Sequence, residues 1–315
     1  MLVESSRFFL TKSDYLNILS SQSLETAVGY LSDKFLATDI GRLAEPHRMD
    51  LRSLYIAIDQ GYSRVVEDLL DGTGVGRVAA RRILWLLAAP DLYLSLNALS
   101  TNVKPPLLTS PLPAVLPGNL DPGRLQELKK SLPRELHGMI NEYIDKKNVS
   151  LQQLVKTLDA LAQGFEKVKG YELGVLTGLL HDLLVIKVCI GVADVRPLQP
   201  RAFSLSPEDL YEGCGRGVSE LIPILSRARP AAGVFASVLS DALRFSPGVE
   251  ALDLATYTGA SHLASLVLKG SEPETVARLL LKLLGQYVLL KLSLTVVHSG
   301  LYRQEAVQFV NRWVG

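Results

Sequence analysis

The chain has 315 residues, 48% hydrophobic and 21% charged, with a formal net charge of +1. This balance gives no sign of a strongly basic nucleic-acid binder or an acidic tail, and the length suffices for one large domain or two or three smaller ones. Two cysteines, Cys189 and Cys214, are too few for a disulfide framework or a zinc site and read as ordinary thiols in a reducing compartment.

The opening MLVESSRFFLTKSD carries acids too early and too short an apolar run for a signal peptide, so a cytoplasmic protein is expected. Beyond it nearly everything reads as helix, with almost no strand-like alternation. Gly74 to Ile83, GVGRVAARRI, has the form of a glycine turn opening a basic helix. Asp91 heads the apolar run DLYLSLNAL. Lys104 to Gly118, KPPLLTSPLPAVLPG, is a proline-rich connector that cannot be a helix interior. Asp121-Pro122 is a good helix start, an N-cap side chain followed by proline at the first position. Leu151 to Phe165 places Leu151, Leu154, Val155, Leu158, Leu161 and Ala162 on one helical face.

Gly174 to Ala193 is long enough to span a bilayer. Its Asp182 and Lys187 together cost about 5–7 kcal/mol of insertion free energy, which its eleven Leu, Ile and Val do not offset once His181 and the glycines are added. A buried helix of a soluble bundle is the expectation, because no neighbouring span of similar quality is evident. Leu198 to Pro207 is a shorter connector, and Ser206-Pro207 is a second good helix start. Pro230 to Gly233 reads as a weaker connector. Leu279, Leu280, Leu283, Leu284 and Tyr287 again share a helical face, in a run interrupted by Lys282, Gln286 and Lys291. A last cap-like site, Leu301 to Gln304, lacks the proline.

Two signatures recur. An acid followed by an apolar run appears at Asp91, Asp182 and Glu274, spaced by 91 and 92 residues; the pattern Leu-[Asp/Ser]-Pro-x-x-Leu appears at Leu120 and Leu205. Self-similarity at a fixed period predicts one supersecondary unit used repeatedly. The expected units are 1–120, 121–205 and 206–315, joined as one continuous all-α body. Such a repeat protein without a catalytic motif reads as a scaffold or adaptor.

Four stretches carry a resemblance. They are Asp182-Leu183-Leu184-Val185-Ile186-Lys187, the loop Pro117-Gly118-Asn119-Leu120-Asp121, the opening helix Ser23 to Leu31, and the closing segment Gln304 to Val310. Together they resemble the rotor-adaptor family of archaeal A-type ATP synthases (the C-type subunit), which has an equivalent in V-type ATPases. That family's recurrent helix has the form acid-x-x-Asn-Leu-Lys/Arg-apolar. Here Val185, Leu94 and Ala277 replace the Asn, and Leu96 replaces the basic residue of the first copy. The resemblance implies three helical lobes with pseudo-threefold symmetry in a funnel shape, with no catalysis and no cofactor. It implies a rotor adaptor between the central-stalk subunits and the membrane rotor ring, peripheral at the cytoplasmic face of the membrane. Asp91, Asp182 and Glu274 then either sit near helix N-termini, favoured by the dipole, or converge to line the stalk's socket. Lys187 and Arg278 are further candidate partner contacts.

The competing chemistry is DNA binding. Gly74 and Gly76 resemble a helix-hairpin-helix turn that offers backbone N–H groups to a phosphate, with Arg77, Arg81 and Arg82 assisting. Other motifs are poorer. Gly259-Ala260-Ser261-His262 lacks the second glycine of a nucleophile elbow, and Asp71-Gly72-Thr73-Gly74 lacks the downstream Glu of a calcium loop. His47, His137, His181, His262 and His298 are scattered without metal-ligand spacing and read as surface or hydrogen-bonded helix residues. Glu274 and Arg278, spaced i,i+4, read as a helix-stabilising pair.

Overall fold

Caps and prolines place many of the helix boundaries. Thr11 and Ser271 each open a helix with a capping box, accepting a hydrogen bond from the backbone of Asp14 and of Glu274, whose side chains fold back onto the cap. Asp50, Ser150 and Ser206 cap further starts with their side-chain oxygens. Gly300, at φ +70°, closes the longest helix in the left-handed conformation that glycine adopts without strain.

The computed structural model describes residues 9–34, 50–71, 74–101, 120–165, 171–192, 194–246 and 248–315. The proline-rich connector, Pro117 to Asn119, His47 and the centre of the calcium-like loop (Gly72 and Thr73) lie outside them. Among the described residues the protein is all-helical, without a strand. The helices are α1 (Lys12–Ser20), α2 (Leu24–Lys34), α3 (Leu51–Leu70), α4 (Val75–Thr101), α5 (Leu125–Ser131), α6 (His137–Lys146), α7 (Leu151–Gln163), α8 (Tyr171–Cys189), α9 (Pro207–Cys214), α10 (Leu221–Ala228), α11 (Pro230–Ala242), α12 (Val249–Val267), α13 (Glu272–Ser299) and α14 (Arg303–Trp313).

Two short helices followed by a pair of longer ones recur: α1–α2 before α3–α4, α5–α6 before α7–α8, and α9–α10, with α11 added, before α12–α13. Each longer pair touches both of the others. α4 packs on α7 and α8, α8 packs on α12, and α13 packs on α3 and α4. α13 also meets α1, α2 and α14, and most of its length from Ala277 to Val297 is buried. α8, the span considered in the sequence, is likewise a core helix: Leu176, Leu179, Leu180, Leu183, Leu184, Val185 and Ile186 are all buried. Two other helices, α4 and α13, are long and apolar enough to cross a membrane, contrary to the expectation that no span comparable to Gly174–Ala193 exists. Their most apolar windows are 61% and 78% buried inside the fold.

Three further expectations are corrected. Pro230 is not in a connector but at the first turn of α11, where its missing N–H costs nothing. Asp91 and Asp182 are not near helix N-termini; they fall mid-helix in α4 and α8, and Glu274 alone occupies a first turn. The helix pairs start at residues 51, 151 and 249, a period nearer 100 than 91. The acid signature therefore drifts along successive helices instead of marking one equivalent position.

Candidate functional site

The polar residues buried in this apolar body gather where helix pairs meet. Where the first pair meets the third, Asp59 on α3 is ion-paired with Lys291 on α13. Tyr287 joins them, donating to Asp59 at 2.5 Å and accepting from Lys291 Nζ at 2.5 Å. Asp91 reaches the same cluster from α4, close enough for its charge to act on both Tyr287 and Lys291. One turn earlier on α13, Gln286 donates to Tyr62 at 2.5 Å and accepts from the Leu10 backbone N–H at 2.6 Å. Tyr55 donates to the Lys291 carbonyl at 2.7 Å. Rising numbers on α3 meet falling numbers on α13, so the two helices run antiparallel.

Asp59 and Asp91 are each 2% exposed and Lys291 7%, so the cluster lies in a low-dielectric interior. Burial pushes the Asp59 carboxyl up, against the pull of the Lys291 charge. Burial likewise lowers Lys291, against the pull of Asp59 and Asp91. Burial raises the Tyr55 phenol to about 12, and burial with the neighbouring Asp59 charge raises Tyr287 well above its ordinary value. These tyrosines stay protonated and serve as hydrogen-bond donors.

The other two junctions carry their own ties. Between the second and third pairs, Lys187 on α8 is ion-paired with Asp253 on α12 at 2.5 Å. Between the first and second, Asn97 on α4 clasps the backbone of Val149 just before α7: its amide donates to the Val149 carbonyl at 3.1 Å and its oxygen accepts from the Val149 N–H at 2.8 Å. Arg82 donates to Glu135 at 2.6 Å across the same junction.

Inside the second unit, His181 on α8 stands between two carboxylates, Asp182 at its Nδ1 and Asp159 at its Nε2, each 2.9 Å away. Only an imidazolium donates on both sides. Burial opposes that charge, but the two hydrogen bonds and carboxylate charges outweigh it and hold the His181 pKa above 6.5. Asp182 also accepts N–H groups from Phe203 at 3.0 Å, Ser204 at 2.8 Å and Leu205 at 2.7 Å. The linker toward the third unit is thereby pinned to the middle of α8. Phe203 stacks edge-on against His181, with ring centroids 4.5 Å apart.

The residues singled out in the sequence do not gather into one site. Asp91 and Asp182 are buried in separate clusters, while Glu274, half-exposed, accepts from the N–H groups of Gly270 and Ser271 at its own helix cap. Arg278 does not pair with Glu274; its guanidinium donates to the Leu268 carbonyl at 3.3 Å, closing the end of α12. At the glycine turn, Arg81 donates to the Leu70 carbonyl at the end of α3, and Arg82 is held by Glu135. A Cβ on Gly76 would lie 3.0 Å from the Glu272 carbonyl oxygen, and one on Gly74 would lie 2.8 Å from the Glu272 carboxylate. The turn thus packs against an acid at the start of α13. Among the described residues, one cavity of about 60 Å³ lies near Lys282 and Ser261 and another of about 260 Å³ between α8, α11 and α12. Neither is lined by Asp59, Asp91, His181, Asp182 or Lys291.

No protein-family model and no curated protein matches the chain. Sequence reasoning missed the roles of Asp59, Lys291 and His181. Lys291 appears in the sequence only as an interruption of an apolar run, and that interruption was the available signal. A charged residue flanked on both sides by Leu in a mostly apolar, buried run must find a buried partner.

Proposed function

We propose that the chain is a non-catalytic rotor adaptor of an A/V-type proton-translocating ATP synthase or ATPase. It would join the rotating central stalk to the membrane rotor ring, at the cytoplasmic face of the membrane and without a small-molecule substrate. One observation carries this reading: each of the three helix pairs touches both others, and each junction is tied by its own buried or half-buried polar bridge. These are Lys291–Asp59, Lys187–Asp253, and Asn97 on Val149 with Arg82–Glu135. A ring of close-packed helices cross-linked in this way is stiff, and stiffness is what a part that transmits torque needs. The three-lobed, pseudo-threefold body that the motifs near Ser23, Asp182 and Gln304 imply would set these three pairs around one axis. Stalk and ring contacts would then lie on the outer surface, since Asp91 and Asp182 are spent in the interior.

Affinity capture of the tagged protein from its own detergent-solubilised membranes tests the proposal. Stalk and ring proteins identified by mass spectrometry support it. Their absence, with the protein found on DNA instead, favours the glycine hairpin. Nothing in the geometry favours that second reading, because Arg81 and Arg82 already hold Leu70 and Glu135 and Glu272 adjoins the glycines.

A further inference from the structure

We propose that Cys189 and Cys214 are a redox pair that closes into a disulfide, stapling α8 to α9 across the linker between the second and third units. This is independent of the rotor reading. Cys189 is the last residue of α8 and Cys214 the last of α9. The two helices pack tightly at this point: a Cβ on Gly213 would lie 2.8 Å from Ile186 Cδ1, so glycine is what allows the close approach. Ile186 and Cys189, one turn apart, share a face of α8, and Gly213 adjoins Cys214. Both cysteines are free and fully buried, and their thiols are within hydrogen-bonding reach of each other.

Both thiols are equally buried, so whichever ionises first attacks and the other resolves. The oxidant is hydrogen peroxide or another small hydroperoxide, admitted when α9, a helix of only eight residues, opens locally. The first thiolate attacks one peroxide oxygen, the O–O bond breaks, and the departing hydroxide takes up a proton as water. The second thiol then attacks that sulfenic sulfur, the S–S bond forms, and a second water leaves with the thiol proton. Two thiols are oxidised and one peroxide is reduced by two electrons.

The test uses the reduced full-length protein. It is exposed to hydrogen peroxide under native conditions, quenched in acid, unfolded and alkylated. The expected result is a fall from two alkylatable thiols to none, a mass lower by two hydrogens, and one peptide cross-link joining Cys189 to Cys214. Dithiothreitol should restore both thiols. In Cys214→Ser or Cys189→Ser, the remaining cysteine should stop at the sulfenic acid and be trapped by dimedone. Retention of both thiols at peroxide levels that oxidise the urea-unfolded chain would overturn the proposal. So would linkage between two molecules, or oxidation past the sulfenic acid without a cross-link.

Discussion

Replacing Lys291 by methionine removes a charge while nearly preserving volume, so it isolates the electrostatics of the junction between α3, α4 and α13. In the wild type the Lys291 ammonium is paired with Asp59, which is 2% exposed. Without Lys291, Asp59 must stay ionised without that ammonium or take up a proton. Breaking a buried pair on one side costs about 3–5 kcal/mol. Protonating an aspartate of ordinary pKa at pH 7 costs about 4 kcal/mol, which caps the loss per carboxyl at a similar figure.

The cap depends on pH. At pH 5 the same protonation costs only about 1.5 kcal/mol. In the variant the folded-state pKa of Asp59, already raised by burial, rises further because the Lys291 charge that lowered it is gone. A raised carboxyl contributes stability below its unfolded pKa and loses it as pH climbs through the folded one. Urea unfolding followed by circular dichroism should therefore show Lys291→Met about 3–4 kcal/mol less stable than wild type at pH 7, and distinctly less penalised at pH 5. Lys282→Met, an exposed lysine on the same helix, should stay within about 0.5 kcal/mol. Adding Asp59→Leu to Lys291→Met should recover at least about 1 kcal/mol, within the range of coupled neighbours of about 0.5–3 kcal/mol. A loss below about 1 kcal/mol at pH 7, or a loss equal at both pH values, would refute the reasoning.

Three other outcomes follow from the geometry. His181 has a raised folded pKa, so its stabilising contribution is complete below pH 6.5 and lost as pH rises through the folded value; the gap in urea midpoint between wild type and His181→Asn should narrow with rising pH, and a constant gap would count against an imidazolium. Gly76→Val should destabilise by about 1–3 kcal/mol, because a Cβ there already lies 3.0–3.1 Å from the Glu272 and Pro273 backbone; a variant as stable as wild type would show that α4 and α13 do not need this close approach. Glu274→Ala should cost about 0.5–2 kcal/mol through loss of the capping box, measured by thermal unfolding, whereas Asp182→Ala should cost more, since it orphans three backbone N–H groups and His181.

Much of the fold was legible because it rests on local rules. The apolar face of Leu151 to Phe165 became α7, and the caps at Asp121 and Ser206 opened helical segments. The burial of α8 followed from the cost of its charges in lipid. The candidate site was far less legible. Partners such as Asp59 and Lys291 are 232 positions apart, and nothing in local periodicity says which side chain an interrupted apolar run will meet. The 91-residue acid spacing misled for a related reason. A helix tolerates an acid in its first turn and, with partners, deep in its interior, so matching letters on matching runs does not fix matching heights. Glu274 stands two residues into α13, while Asp91 stands sixteen into α4.

The cost of these buried charges is itself an argument about role. A buried ion pair is weak evidence for stability, because well-packed apolar residues of the same size often do as well or better. What the pair adds is a penalty on every misaligned state: sliding α13 by one turn along α3 would take Lys291 from Asp59 and Gln286 from Tyr62 and the Leu10 N–H. An apolar junction has no comparable penalty, since leucines slip past leucines at small cost. The other two junctions carry ties of their own, Lys187–Asp253 and the Asn97 clasp on Val149, and sliding at either would break them. Fixed register would serve the load-bearing role proposed for this body.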